Sequence, residues 1–488
     1  MTAARIALAR TAIRAAAAAA EGGIYLGAGT RGPRWAGPER AALILGPPRS
    51  GKSSCVVVPA ILTAPGAVVS TSTKPDILEA TAPARADIGP CLLYDPSGTV
   101  PVPPGVEPVR WSPIASCADW DETLLVARSL VLTARSVSRE DHWSGRAEAL
   151  LGAVLHAAAL DGTGMRTVLG WIDRHQGAPA LAVLDREGAE GAANQLAGIM
   201  MTDSREQSGI WSTASGVLAA YRSSAALDST VSPNFDPFRF LDQRGTLYIC
   251  ATGRHQAVTA PLVVGILNDV RAAAYARSSA RVGGPPVLLA LDEVANIAPL
   301  PDLPAMVSEG GGQGLLTLAC LQDLSQARLR WGQAAEGFLS LFGSTVVLPG
   351  IGDVRTLESL SALAGEEEVL TRSMSVPLPP KGPTVARAFL RFLGGRRVGP
   401  EPDRVPSLTT STVRRPRLPV DELSQGRPGS ALVVGDRNRM SWVRLTPYFA
   451  EEPWRTATRA GPGLEPGRER LGPERDLEGR DPGPDLGR

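Results

Sequence analysis

The sequence has no excess of either charge, and this balance limits the partners that its surface can bind. Lys and Arg together number 50, against 49 Asp and Glu, and the formal net charge is +1. A protein that bound nucleic acid over its whole surface would need a clear basic excess. Any contact with DNA must therefore be local.

Cysteine is also scarce, with five residues in a chain of 488. The five are scattered, and their spacing matches neither a disulfide framework nor a set of zinc ligands. This usage predicts a reduced, cytoplasmic setting.

A long hydrophobic run is missing as well. The most suggestive stretch, residues 15–20, is interrupted on its amino-terminal side by Arg10 and Arg14 and ends at Glu21. A membrane-spanning helix needs about 20 predominantly apolar residues, so we predict no transmembrane segment. A helix lying on a membrane surface is an alternative, but a plain surface helix fits the Arg spacing better.

With 43% hydrophobic and 20% charged residues, the composition is that of a globular protein. From Ala41 onward, short runs of Val, Ile and Leu alternate with longer helical or irregular stretches. This alternation predicts an α/β fold with a doubly wound, mostly parallel sheet. The predicted strands are Ala41–Leu45, Ala67–Ser72, Cys91–Tyr94, Thr246–Ala251, Val287–Leu291, Leu315–Leu321, Thr345–Leu348 and Ala431–Val434.

The chain divides by composition. Residues 1–40 are predicted to form an amino-terminal helix and lead-in, and residues 41–116 and 240–453 a nucleotide-binding domain. Residues 117–239 lose the strand pattern and show helical spacing, which predicts an inserted all-α domain. We expect 376–415 to be irregular and 454–488, with almost nothing to bury, to form a disordered tail.

A phosphate-binding loop follows the first predicted strand. Gly46 and Gly51 allow backbone N–H groups to approach phosphates, Lys52 is expected to reach the β- and γ-phosphates of ATP, and Ser53 to bind Mg²⁺. The helix that begins at Ser53 would favour the anion at its amino terminus. The predicted nucleotide-binding residues are Gly46, Pro47, Pro48, Arg49, Ser50, Gly51, Lys52, Ser53 and Ser54.

The second half of the site is an apolar strand, Val287–Leu291, that ends in two carboxylates. Asp292 is expected to hold Mg²⁺ and Glu293 to act as the general base for the attacking water. Gln322 ends the next strand and is predicted to sense the γ-phosphate; an ordinary polar strand terminus is the alternative. The predicted catalytic residues are thus Lys52, Glu293 and Gln322.

Beyond these motifs, residues 24–451 resemble the TraG/TraD-type coupling proteins of bacterial conjugation and type IV secretion. The resemblance extends over many segments. They are residues 46–53, 70–76, 94–98, 142–143, 291–304, 312–314, 322–326, 330–332 and 446–449.

The resemblance implies a RecA-like ATPase with an inserted all-α domain, assembled as a homo-hexamer on the cytoplasmic side of the bacterial membrane. It also implies DNA, a relaxase and secretion-channel subunits as partners. Many family members begin with transmembrane helices, so the predicted lack of one here leaves anchorage to a separate membrane-anchor protein as a further partner, to an alternative start upstream, or to no anchor at all.

The family's mechanism places ATP between subunits, with an arginine supplied by the neighbour. Arg355 is the first candidate and Arg330 the second, and for each the alternative is an ordinary surface arginine in a salt bridge. Candidate DNA contacts are Lys74 and the pair Arg254 and His255. The alternatives are that Lys74 caps the second predicted strand and that His255 is an ordinary surface histidine. A chromosome-partition DNA translocase and a cargo receptor that uses ATP only for assembly remain as alternatives.

Overall fold

The computed structural model describes residues 2–134, 142–251, 256–375, 407–435 and 439–459. Its centre is a twelve-stranded sheet in the order β2-β1-β14-β13-β10-β3-β9-β8-β4-β7-β5-β6, and β11 and β12 form a separate pair. The strands are β1 (Tyr25–Gly29), β2 (Gly32–Trp35), β3 (Ala42–Leu45), β4 (Val68–Ser72), β5 (Cys91–Tyr94), β6 (Val106–Pro108), β7 (Thr246–Cys250), β8 (Val287–Leu291), β9 (Leu315–Leu321), β10 (Ser344–Val347), β11 (Glu366–Ser375), β12 (Ser407–Pro416), β13 (Ser430–Val434) and β14 (Met440–Arg444).

All eight predicted strands are confirmed, and seven of them run parallel. Strands β10, β3, β9, β8, β4, β7 and β5 form a continuous parallel block, with β6 added at the edge. Their side chains are almost all buried because helices cover both faces, which explains why the strands read as unbroken apolar runs. The carboxyl ends of these strands meet at one edge of the sheet.

The lead-in predicted for residues 1–40 is part of this sheet. β1 pairs antiparallel with β2 and with β14, and β14 pairs antiparallel with β13. These short strands contain Gly and Pro, which weaken the sequence signal for a strand. The sheet therefore extends further on this side than the sequence predicted.

Helices flank the sheet and fill the segment between β6 and β7. No described helix is both long enough and apolar enough to cross a membrane. The helices are α1 (Ala3–Ala19), α2 (Val58–Thr63), α3 (Asp76–Arg85), α4 (Trp120–Thr133), α5 (His142–Leu160), α6 (Met165–Asp173), α7 (Gly177–Arg186), α8 (Glu190–Met200), α9 (Ser204–Val217), α10 (Ser224–Asp228), α11 (Pro237–Asp242), α12 (Gln256–Ser279), α13 (Val294–Ile297), α14 (Leu303–Glu309), α15 (Leu324–Trp331), α16 (Phe338–Leu341), α17 (Val354–Ala364), α18 (Val420–Gln425) and α19 (Trp454–Ala457).

The described residues between β6 and β7 form only helices and their connections. α5 lies at the centre of this group, where Leu150, Leu151 and Val154 are fully buried, and α4, α7, α8 and α9 pack around it. Asp119 caps the amino terminus of α4 through a hydrogen bond from Glu122 N, and Asp203 caps α9 in the same way. The helices continue to α11, past the boundary predicted at residue 239.

Two chain segments, residues 109–119 and 229–236, connect these helices to the sheet. We call them the neck. Trp111 N donates to Ser229 O at 2.9 Å, and Trp111 Nε1 donates to Asp269 Oδ2 at 2.7 Å. The indole lies against Gly265 of α12, where a Cβ would come within 2.1 Å of Trp111 Cη2. The neck thus depends on a glycine at this one position in the helix.

Two predictions for the carboxyl-terminal part need correction. Residues 407–415, predicted to be irregular, belong to β12, which pairs with β11 in an antiparallel ribbon; residues 376–406 lie outside the described residues. The tail predicted to begin at 454 starts with α19, because Trp454 packs edge-on against Tyr25 at a ring-centroid distance of 5.2 Å. Residues 460–488 lie outside the described residues.

Candidate active site

Three segments that are far apart in the sequence meet at the carboxyl edge of the parallel strands. Gly46 follows β3, Gln322 follows β9, and Asp292 follows β8. β9 lies between the other two strands, pairing with β3 on one side and with β8 on the other. A hydrogen bond from Gly46 N to Leu321 O, 3.2 Å long, holds the start of the loop to the end of β9.

The loop 46–52 has the backbone of a phosphate-binding loop. Gly51 has φ +96° and Arg49 has φ +63°, both in the left-handed region. A Cβ on Gly46 would lie 2.7 Å from Ser50 Oγ and 2.9 Å from Leu348 Cβ, so a side chain does not fit there. The loop leads directly into a π-helical turn, Ser53–Val57, that continues into α2.

Lys52 folds back over this loop. Its Nζ donates to Gly46 O at 2.5 Å and to Pro47 O at 3.0 Å, and the side chain is buried. The ammonium group is therefore held beside the backbone amides at the helix start. Positive charge and amide donors at one place favour a phosphate group.

Ser53 and Asp292 are in direct contact. Ser53 Oγ donates to Asp292 Oδ2 at 2.7 Å, and Thr71 Oγ1 donates to the backbone oxygen of Asp292 at 3.1 Å. Burial raises the pKa of Asp292 above its ordinary value, while the Ser53 hydrogen bond and the charge of Lys52 act to lower it. The other carboxylate oxygen, Oδ1, is buried and has no hydrogen-bond partner among the described residues.

These oxygens fit Mg²⁺. The ion takes oxygen ligands, usually one or two carboxylates together with phosphates and waters, and a hydroxyl and a carboxylate already lie side by side here. A buried carboxylate oxygen without a partner is costly unless a ligand satisfies it. Ser53 and Asp292 could therefore supply two oxygen ligands to such an ion.

Glu293 has a strained backbone. Its φ of +52° is in the left-handed region, at the point where β8 gives way to α13. For a residue other than glycine this conformation costs about 1–3 kcal/mol, and such residues are common at functional sites. The side chain is half-buried, and Asn296 Nδ2 donates to Glu293 Oε2 at 3.4 Å.

Gln322 lies between the loop and the Asp292 strand, where the sequence predicted it. Its backbone N–H donates to Gln326 Oε1 at 2.9 Å, and the next residue, Asp323, caps α15. Gln322 is therefore held at the strand end by the helix that follows.

The remaining predicted residues do not all gather at this edge. Lys74 follows β4 with an exposed side chain, and its N–H donates to Ser72 Oγ at 3.2 Å. Arg330 donates to Thr133 O and Pro299 O of its own chain, both at 3.3 Å, and burial lowers its pKa. Arg355 is exposed in the first turn of α17. Arg254 and His255 lie outside the described residues.

Two residues that the fold brings close to this site had no predicted role. Asp76, at the start of α3, lies close enough to raise the pKa of Asp292, although burial is the larger cause. Tyr448 N donates to Ser54 O at 3.0 Å, which places the segment after β14 beside the loop. In the sequence, the one signal that pointed to Tyr448 was that it belongs to segment 446–449 of the family resemblance.

Comparisons with known proteins agree on the fold. The bacterial conjugative coupling protein TrwBdeltaN70 superposes with a TM-score of 0.62 at 19% identity, covering 84% of this chain and 85% of that chain. The plasmid coupling protein TrwB has also been solved with the ATP analogue ADPNP (TM-score 0.61, 20% identity, 84% and 86% covered) and with ADP and Mg²⁺ (TM-score 0.60, 20% identity, 84% and 85% covered). No curated protein sequence matches this chain.

The family is established by the sequence itself. The profile of the family described as "Type IV secretory system Conjugative DNA transfer" matches residues 10–382, about three quarters of the chain. The match spans the phosphate-binding loop, the helical insertion, the Asp292 strand and Gln322. The expected resemblance is thus confirmed, and the chain belongs to the type IV secretory system conjugative DNA transfer family.

Proposed function

We propose that this chain is the coupling ATPase of its secretion system and hydrolyses ATP to deliver relaxase-bound DNA, or protein cargo, to the channel. The observation that carries the proposal is the contact between Ser53 and Asp292, because it joins the phosphate-binding loop to the carboxylates of β8. The TrwB structures with ADPNP and with ADP and Mg²⁺ support the same choice of ligands.

In this proposal each residue has one task. The loop amides and Lys52 bind the β- and γ-phosphates, and Ser53 and Asp292 hold Mg²⁺. The chemistry supplied by Mg²⁺ is neutralisation of the charge on these phosphates. Glu293 accepts a proton from the attacking water, and Gln322 contacts the γ-phosphate from the intervening strand.

Assembly completes the site. ATP lies between neighbouring subunits of a homo-hexamer, and the neighbour's arginine reaches the γ-phosphate. Arg355 suits this role better than Arg330, because it is exposed at the carboxyl edge of the sheet whereas Arg330 is bound to its own chain. The ring binds at the cytoplasmic face of the membrane.

DNA coupling distinguishes this proposal from a receptor that uses ATP only to assemble. The test is the steady-state ATPase rate of the purified chain with and without single-stranded DNA, for the wild type and for Lys52→Ala. We expect DNA to stimulate the wild type and Lys52→Ala to be inactive under both conditions. The proposal would be overturned if DNA did not stimulate the wild type and Lys52→Ala hydrolysed ATP at the same rate as the wild type.

A further inference from the structure

The segment after β14 is attached to the turn that begins the nucleotide helix. In the π-helical turn Ser53–Val57, Val58 N donates to Ser53 O, five residues back. The next donor in this register would be residue 59, which is proline and has no N–H. The carbonyl of Ser54 is therefore open, and Tyr448 N–H occupies it at 3.0 Å.

This attachment fixes two aromatic rings beside the loop. The rings of Tyr448 and Phe449 meet edge to face, with centroids 5.3 Å apart and an interplanar angle of 81°. Tyr448 packs on the core beneath α2. Burial, and then the carboxylates of Asp76 and Glu79, raise its pKa above the ordinary value. Phe449 in contrast is 59% exposed.

Two residues of the π-helical turn are not buried. Cys55, Val56 and Val57 are buried, so within this turn Ser53 and Ser54 are the residues that reach the surface. The hydroxyl of Ser53 is bound to Asp292, on the side of the γ-phosphate and the metal. This arrangement favours a path for the nucleoside end past Ser54, the residue whose carbonyl oxygen accepts from Tyr448 N.

We propose that Phe449, positioned by Tyr448, is the surface on which the base of the bound nucleoside triphosphate stacks. The inference rests on the proposed binding of ATP at residues 46–53 and adds the part of the site that contacts the base. Every base offers a flat aromatic face, so a stacking ring is tolerant of base identity. The site should accept purine nucleoside triphosphates with little discrimination between ATP and GTP.

The test compares ligands with and without a base. Affinities for ATP and for inorganic tripolyphosphate, both with Mg²⁺, are measured calorimetrically on the full chain for the wild type, Phe449→Ala and Phe449→Trp. We expect Phe449→Ala to weaken ATP binding about tenfold and leave tripolyphosphate binding unchanged, whereas Phe449→Trp should bind both normally. Phe238→Ala is the matched control, because Phe238 is 51% exposed on α11, at the opposite edge of the sheet.

The outcomes separate this inference from the function on which it rests. A wild type that binds ATP, with Phe449→Ala binding it equally well, would overturn the stacking surface alone. Equal weakening of ATP and tripolyphosphate by Phe449→Ala would also overturn it, since the ring would then act on the loop and not on the base. A wild type that binds neither ligand would overturn the nucleotide site itself.

Discussion

Ser53 Oγ and Asp292 Oδ2 lie 2.7 Å apart, although 239 residues separate them in the sequence. The contact exists because β9 lies between β3 and β8 and brings their carboxyl ends to the same edge. The two side chains act on one ligand in our account, and this makes their effects on Mg²⁺ interdependent.

The Mg²⁺ dependence of ATP binding tests this pair. We expect Ser53→Ala and Asp292→Asn each to reduce, by about tenfold or more, the gain in ATP affinity that Mg²⁺ produces. Because both residues serve one ion, the double variant should lose little more than the worse single variant. Binding titrations with Mg²⁺ and with a chelator measure the effect. Fully additive losses would show that the two residues act separately.

Arg355 is predicted to act on the nucleotide of a neighbouring subunit. Arg355→Ala should lower ATP hydrolysis about a thousandfold and leave the dissociation constant for ATP unchanged. Mixing Arg355→Ala with Lys52→Ala should restore part of the ATPase activity, since some interfaces then combine an intact loop with an intact arginine. Arg330→Ala, the comparison, should instead lower thermal stability. Absence of any recovery on mixing would contradict action between subunits.

Gly265 and Gly198 should respond in opposite ways to the same substitution. Both lie inside helices, α12 and α8, but a Cβ on Gly265 would lie 2.1 Å from Trp111, whereas a Cβ on Gly198 meets nothing within 4 Å. Gly265→Ala should therefore destabilise the chain by about 1–3 kcal/mol. Gly198→Ala should stabilise it by about 0.5–1 kcal/mol. Chemical denaturation measures both, and equal effects would refute the predicted packing of the neck.

Asp269 should make stability depend on pH. Burial raises its pKa above the ordinary value of 3.8, against the hydrogen bonds from Trp111 and Ser116. The folded chain thus holds this proton more tightly than the unfolded chain. Its contribution to stability is full below 3.8 and is lost as the pH rises through the higher folded pKa.

Asp269→Asn removes this titration while keeping an oxygen that can accept from Trp111 Nε1. The unfolding free energy of the variant minus that of the wild type should therefore rise with pH across this window and level off above it. Denaturant titrations at a series of pH values give this difference. A difference that stays constant with pH would contradict the assignment.

The sequence predicted the parallel block and the meeting of the phosphate-binding loop with Asp292, because both depend on strong local signals. Buried strands read as apolar runs, and the loop needs Gly46, Gly51 and Lys52 at fixed spacing. Parallel winding then determines which strand ends share an edge. These features follow from chemistry within a few residues of each motif.

The parts that the sequence did not predict depend on distant partners. β1 and β2 are short and contain Gly and Pro, and they form strands by pairing with each other and, through β1, with β14. The bond from Tyr448 to Ser54 arises because Pro59 cannot complete the π-helical turn. A missing donor of this kind becomes visible only when the helix register is known.

Glu293 is proposed to activate the water that attacks ATP bound at residues 46–53. This role is tested most directly by measuring ATP affinity and steady-state hydrolysis on one preparation of Glu293→Gln beside the wild type. The variant keeps the shape of the side chain and loses the base. We predict unchanged affinity for Mg²⁺-ATP and hydrolysis slower by about 10²–10⁴-fold, whereas hydrolysis at the wild-type rate would contradict the account.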